Sequence, residues 1–183
     1  MMQCAPFSFH SCCRLIACNS LIFVLVSLSY AAPTFAGLVQ YKLNSPLTSG
    51  GRVNQFSISA DGQTVVYQAS LNAVKVYELY SVPVNGGTVT KISGTMVAGG
   101  SVSSFLISPD NSTVIYIADQ DTAGQRELYS VPIGGGTVTK LNDTIISGGN
   151  LDRAAISPDS STVVYMADQN VLIKHRFSRV ALR

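Results

Sequence analysis

Tyr67, Tyr116 and Tyr165 stand 49 residues apart in turn, and the sequence around each of them repeats in step. Phe56-Ser57-Ile58-Ser59-Ala60-Asp61 returns as Phe105-Leu106-Ile107-Ser108-Pro109-Asp110 and again as Ala154-Ala155-Ile156-Ser157-Pro158-Asp159. Thr64-Val65-Val66-Tyr67 returns as Thr113-Val114-Ile115-Tyr116 and Thr162-Val163-Val164-Tyr165, without a gap. Farther along, Glu78-Leu79-Tyr80-Ser81-Val82-Pro83 matches Glu127-Leu128-Tyr129-Ser130-Val131-Pro132, and Gly86-Gly87-Thr88-Val89-Thr90-Lys91 matches Gly135-Gly136-Thr137-Val138-Thr139-Lys140. A chain that repeats at this period must build one structural unit per repeat and bury each unit against its neighbours.

The period within one unit is that of strands. In the second unit, Val102 to Ser108 and Thr113 to Ala118 are short β-branched and aromatic runs separated by Pro109-Asp110-Asn111-Ser112, which is hairpin-turn chemistry. A polar stretch, Asp119 to Gln125, precedes a third run, Glu127 to Ile133, and Gly134-Gly135-Gly136 leads into a fourth, Thr137 to Leu141. Short connections make sequence neighbours pair antiparallel. No stretch after residue 37 has a helical period. Four-stranded units of 40 to 50 residues are blades, so the expected fold is all-β, a β-propeller with four antiparallel strands per blade.

The wording Ser-Pro-Asp, an apolar strand ending in an aromatic, a Leu-Tyr strand and a Gly-Gly turn resembles the TolB-like, or WD40-like (PD40-type), β-propeller repeat. The resemblance covers Lys42 to about Asp168 in three copies. A true WD40 repeat is excluded, because the chain has no Trp. Ala60 stands where the family turn has Pro, and only Gly62 keeps the turn glycine. The resemblance implies an exported protein with a protein partner in an envelope complex. It also admits the propeller portion of a peptidase- or lyase-type enzyme whose catalytic domain is absent.

Lys42-Leu43-Asn44 matches Lys140-Leu141-Asn142 two periods on, so the repeats open on an outermost strand. The inventory is then that strand, two whole blades and the first two strands of a third. A propeller ring takes four to eight blades, so this one is partial, about three blades, and reads as a fragment. After Asp168-Gln169-Asn170 the wording stops, and residues 171–183 carry Lys174, His175, Arg176, Arg179 and Arg183. Two readings stand there. Phe177, Val180 and Leu182 fall where Leu128, Val131 and Ile133 predict a third strand, or the segment is a divergent basic tail. The division is therefore 1–36 leader, 37–170 repeats and 171–183 tail.

Residues 1–36 are read as a targeting segment outside the fold. Leu15 to Ser29 is largely apolar, and cleavage after Ala36 or Ala31 fits a small-x-small site. The uncharged stretch from Leu15 to Tyr41 is also long enough for a retained membrane anchor. Cys4, Cys12, Cys13 and Cys18 all lie in the leader, so the remaining 147 residues have no disulfide and no thiolate metal site. The expected address is the bacterial periplasm or cell exterior, or the membrane if the leader stays.

Charge excludes a polyanion-binding role for the repeats. Without Arg14 the chain has 11 basic against 10 acidic residues, and without the four basic residues of the tail only 7 basic remain. No nucleic-acid partner is expected. Catalysis is not expected either. The one histidine after the leader, His175, lies in the tail, no Gly-x-Ser-x-Gly elbow exists, and Asp61, Asp110 and Asp159 are equivalent turn residues that cap their own backbone. Asp119-Gln120-Asp121-Thr122-Ala123-Gly124 resembles the start of a calcium loop. Its two carboxylates, Asp119 and Asp121, fall short of the six to eight oxygens calcium takes, so no cofactor or metal is expected. The function expected is a non-enzymatic binding scaffold with an unidentified protein partner, and open blade edges also suggest self-association.

Overall fold

The computed structural model describes residues 40–47, 49–71, 75–169 and 176–182. The leader with its cysteines, Ala31 and Ala36, and the tail residues Lys174, His175 and Arg183, lie outside the described residues. Described residues form strands, turns and coil, with no helix among them. The first sheet has the order β1 (Arg52–Ile58), β2 (Thr64–Ser70), β3 (Glu78–Pro83) and β4 (Thr90–Lys91). The second repeats it with β5 (Val102–Ile107), β6 (Thr113–Ala118), β7 (Glu127–Pro132) and β8 (Thr139–Lys140). A third has β9 (Leu151–Ile156), β10 (Thr162–Ala167) and β11 (Arg176–Ala181). All pairings are antiparallel, and each sheet is one blade.

Register follows the period. Tyr67 faces Tyr80, and Tyr116 faces Tyr129, with rings stacked at 5.5 and 5.3 Å. The inner strand of each blade skips one residue in its ladder, at Asn54, Ser103 and Asp152 in turn. Such a bulge bends the strand and re-aims a side chain. Asn54 donates to Gln68 Oε1 at 3.0 Å, and Asp152 pairs with Arg126 at 2.9 Å.

The outer strands are shorter than the sequence predicts. The run from Thr137 to Leu141 contributes only two ladder residues, as does its copy in the first blade. Pro132 and Pro83 end β7 and β3, and a residue without an N–H cannot extend the ladder beyond them. Lys42 to Asn44, expected as an outermost strand, joins no ladder. It nevertheless lies where an outer strand belongs. A Cβ on Gly86 would sit 3.5 Å from Tyr41 Cδ1, as a Cβ on Gly135 would sit 3.0 Å from Thr90 Cγ2, one period on. Both glycines have φ near +90°, which other residues rarely adopt.

Of the two readings of the C-terminal segment, the structure forms the strand. β11 pairs with β10 in the same register that β7 keeps with β6, placing Val180 opposite Val163 and Phe177 opposite Met166. Ser178 takes the position of Tyr129, so the tyrosine stack of the first two blades is absent here. In its place Ser178 donates to Gln169 Oε1 at 2.8 Å, and Gln169 Nε2 donates to the Tyr165 hydroxyl at 3.1 Å.

The core lies between blades. Val66, Leu79 and Ile92 of the first blade pack on Phe105, Val114, Tyr116 and Tyr129 of the second. Ile115, Ile117 and Leu128 of the second pack on Leu151, Val163 and Tyr165 of the third. Strand alternation sends one side-chain set to the preceding blade and the other to the next. We call these the leading and trailing faces.

Candidate binding surface

The turn residues singled out in the sequence are joined into one structure. In each blade a serine donates to the turn aspartate: Ser59 to Asp61, Ser108 to Asp110 and Ser157 to Asp159. Each serine hydroxyl also accepts from the first strand residue beyond the turn, at 2.9 to 3.0 Å. The N–H groups of Gln63, Ser112 and Ser161 donate to the same carboxylates. These bonds favour the ionised form. The Ser59, Ser108 and Ser157 hydroxyls are the main cause that holds the three carboxyls below their ordinary range, Asp159 at about 2.

The turns are also tied blade to blade. Asn111, with φ of 63°, accepts from the Ala60 N–H at 2.6 Å. Ser160, with φ of 60°, accepts from the Asp110 N–H at 3.0 Å. The first blade has Gly62 at this position and so offers no side chain to a preceding turn.

At the opposite end of the blades, polar side chains again close on backbone. Asp119 Oδ1 accepts from Ser101 N–H at 2.6 Å and its Oδ2 from Gly124 N–H at 3.1 Å. Both oxygens of one calcium candidate are thus engaged, while Asp121 is exposed. No group of three His, Cys, Asp or Glu side chains gathers among the described residues. Buried tyrosines are locked in the same way. Tyr116 donates to Gln120 Oε1 at 2.6 Å and accepts from Gly94 N–H at 3.2 Å, and burial pushes its hydroxyl up to about 12. Tyr80 and Tyr129 are raised further, first by burial and then by Glu78 and Glu127, which in turn pair with Lys91 and Lys140.

What stays unused is apolar surface. Val66, Ile115 and Val164 are one repeat position on the trailing face, and their exposures are 0, 1 and 44%. Leu79, Leu128 and Phe177 are another, at 0, 0 and 74%. The chemistry of the residues hardly changes, so the neighbour does: in the third blade no described blade covers this face. Val164, Met166, Phe177 and Ala155 line an open hollow of about 610 Å³ with Arg153 at its rim. Arg153 and Arg179 are exposed, where the other blades have Gln55 and Ser104, or Ser81 and Ser130. A second hollow of about 370 Å³ opens between blades two and three, where Phe105, Leu106 and Ala154 meet Gln55, Asp152 and Arg153.

This surface is missing from the residues picked out in the sequence. The signal for it was partial: Val66, Ile115 and Val164, and Leu79, Leu128 and Phe177, are apolar in all three copies, and only two of the copies have a described successor. Asp61, Asp110 and Asp159 are brought into a row of linked turns, and Asp119 and Asp121 into a self-capped loop. His175 falls outside the described residues.

No protein-family model matches the chain, and no curated protein matches it. The chain is similar to solved propellers. One is a TolB from Agrobacterium tumefaciens, with 20% identity and a TM-score of 0.51, over 68% of this chain and 44% of that one. Another is from a study of two prolyl endopeptidases, with 17% identity and a TM-score of 0.50, over 66% of this chain and 19% of that one. The chain thus spans less than half the length of that TolB. At these identities the likeness establishes the fold, a TolB-like β-propeller arrangement of blades.

Proposed function

We propose that the chain is an exported, non-catalytic propeller scaffold that binds a protein partner. The observation that carries this reading is the open trailing face of the third blade, where Val164 and Phe177 stand in water at positions their copies bury. An apolar face of this kind, rimmed by polar side chains, marks a contact surface. The carboxylates of Asp61, Asp110, Asp119 and Asp159 and the hydroxyls of Tyr80, Tyr116 and Tyr129 are engaged in turns and blade cores, which supports a role other than hydrolysis. The apolar leader supports export. The likeness to TolB supports a protein partner as a class, in the periplasm or outside the cell.

The test is site-specific photocrosslinking in the native host, with a benzophenone side chain at Phe177 and, as control, at the exposed turn residue Asp121. A discrete protein adduct at 177 and none at 121 supports the reading. Equal labelling at both, together with hydrolysis of peptidase or glycosidase panels by the purified chain, rejects it. Mass spectrometry of the native N-terminus checks export: a start at Gly37 or Ala32 supports it, and an intact Met1 in a membrane fraction reverses it.

The likeness to a prolyl endopeptidase structure favours a second reading, a propeller that serves a separate catalytic domain. A crosslink from Phe177 to a hydrolase would select it.

A further inference from the structure

β3 and β7 each carry a fourth strand, and the two fourth strands share one wording: Thr90-Lys91-Ile92-Ser93 and Thr139-Lys140-Leu141-Asn142. Every element of that wording has a task. The lysine lies opposite the tyrosine of the third strand and pairs with its glutamate, Lys91 with Glu78 and Lys140 with Glu127. The aliphatic residue that follows donates its N–H to the leucine carbonyl of the third strand, at 2.9 Å from Ile92 to Leu79 and 2.8 Å from Leu141 to Leu128. The Ser93 hydroxyl and the Asn142 carbonyl then accept from the N–H of the same leucines, at 3.1 and 2.6 Å.

In the third blade the corresponding edge belongs to β11, and no described strand pairs with it. Its register is unchanged, so the same grammar applies with one inversion. Arg176 stands where β3 and β7 have Glu78 and Glu127, and Arg179 stands where they have Ser81 and Ser130. A lysine that was attracted in the first two blades would be repelled here.

The geometry points to β11 as a docking edge for an acidic extended segment of a partner protein, of the form Thr-(Asp or Glu)-(Leu or Ile)-(Ser or Asn). This inference rests on the reading of the chain as a protein-binding scaffold. The segment adds as a fourth antiparallel strand, with its acid opposite Ser178 and its aliphatic residue beside Phe177 and Val164 on the open trailing face. Backbone bonds along an edge supply affinity in such strand addition, and the side-chain positions supply selection. Arg176, by its register position, and the exposed Arg179 supply both the attraction for acids and the protection of an open edge against like strands.

Charge also separates this occupant from a second copy. The chain's own unpaired wording is Tyr41-Lys42-Leu43-Asn44, which fits the slot at Leu43 and Asn44 and departs from it at Tyr41 and, in charge, at Lys42. Lys42 would be set against Arg176 where each sister blade has a Lys–Glu pair. The same slot therefore selects an acidic segment over the opening segment of another copy.

The experiment uses the full chain and two fluorescein-labelled peptides of residues 135–143, one as the sequence stands and one with Lys140→Glu. Anisotropy at low salt reads both affinities. The Glu peptide is expected to bind at least about tenfold more tightly than the Lys peptide, and the preference is expected to invert in an Arg176→Glu chain, which carries the residue of its sister blades. Arg176→Gln is expected to abolish the preference and keep weak binding of both. Hydrogen exchange on the bound complex is expected to slow at residues 176–181. Equal affinity for the two peptides overturns the inference, as does an unchanged preference in Arg176→Glu, or no binding of either at about 1 mM. A dimer by light scattering that excludes both peptides also overturns it. A protein crosslink at Phe177 with no peptide charge preference would sink this inference while leaving the scaffold reading in place.

Discussion

The second and third blades share a register and differ in what lies beside them. In the second blade, Ile115 and Leu128 are sealed against Leu151, Val163 and Tyr165. In the third, Val164 and Phe177 occupy the same positions on the same pair of strands and are open. Burial is thus a property of the neighbour, while pairing is a property of the blade. Among the described residues the third blade keeps its ladder with no tyrosine stack, no Glu–Lys pair and no fourth strand, because alternation and the Ser-x-Asp turn between its first two strands suffice to set register.

The largest effect that tests this comparison is a pair of truncations at one repeat position. Leu128→Ala removes a fully buried side chain and leaves a cavity between blades, which costs about 2–5 kcal/mol. Phe177→Ala removes a larger side chain from a site that is mostly in water, and the cost expected is below about 1 kcal/mol. Urea unfolding followed by circular dichroism measures both. A Phe177→Ala penalty as large as that of Leu128→Ala would mean that the trailing face of blade three is covered in solution.

Next in size is the hydroxyl of Tyr116. It joins Gln120 to the Gly94 backbone inside the interface between blades one and two, so Tyr116→Phe leaves buried polar partners unmet at a cost of about 1–3 kcal/mol. Among the described residues Tyr165 accepts from a half-buried Gln169, and Tyr165→Phe should cost less. The same contrast has a pH signature. Burial raises the folded-state value of Tyr116 to about 12 from an ordinary 10, so the neutral hydroxyl is what the fold favours. Its contribution is complete below pH 10 and declines as the pH rises from 10 towards 12. Alkaline melting scans should show this decline, and the Tyr116→Phe chain should show less of it.

Blade architecture was legible in the sequence because the period, the turn serine–aspartate pair and the tyrosines recur without a gap. The third strand of the last blade was only half legible: Phe177, Val180 and Leu182 keep the apolar spacing, but the basic residues around them set 171–183 apart as a tail in the sequence, and the strand appears only in the structure. Two features were not legible. The two-residue length of β4 and β8 is decided by Pro83 and Pro132 on the neighbouring strand, which a strand-by-strand reading of propensity does not weigh. An open end was expected from the blade count, but the residues of the trailing face of blade three were not picked out, for a related reason. Val164 and Phe177 look like core in the sequence, and only the arrangement of blades shows that nothing described lies over them.

A smaller effect probes the ties between turns. Asn111 holds the Ala60 N–H of the first blade from a backbone conformation with φ of 63°. Asn111→Gly keeps that conformation accessible and removes only the acceptor, recreating in blade two what Gly62 already is in blade one. The expected loss is about 0.5–1.5 kcal/mol, and Asn111→Ala should lose more because alanine resists positive φ. Native-state hydrogen exchange at Ala60 and Asp61 should quicken in both. Unchanged exchange there would show that the turns of neighbouring blades stand independently.

The smallest expected effect concerns acid. Asp159 lies on the blade with one described neighbour, yet its carboxyl is held at about 2 against an ordinary 3.8 by the Ser157 hydroxyl first and then by Ser161. A carboxyl whose value falls on folding adds stability when ionised. That contribution is present above pH 3.8 and disappears as the pH drops through about 2. Because the bonds that cause the shift lie within the turn itself, it should survive whatever happens at the trailing face, including the truncation Phe177→Ala. Carboxyl-detected NMR titration gives the value directly, and melting temperature against pH gives its consequence. Asp159→Asn should flatten the acid limb slightly and to the same degree in the parent and Phe177→Ala chains. If the titration of Asp159 instead moves up in the Phe177→Ala chain, turn and face are coupled, and the independence of pairing from neighbour contacts that separates blade three from blade two no longer holds.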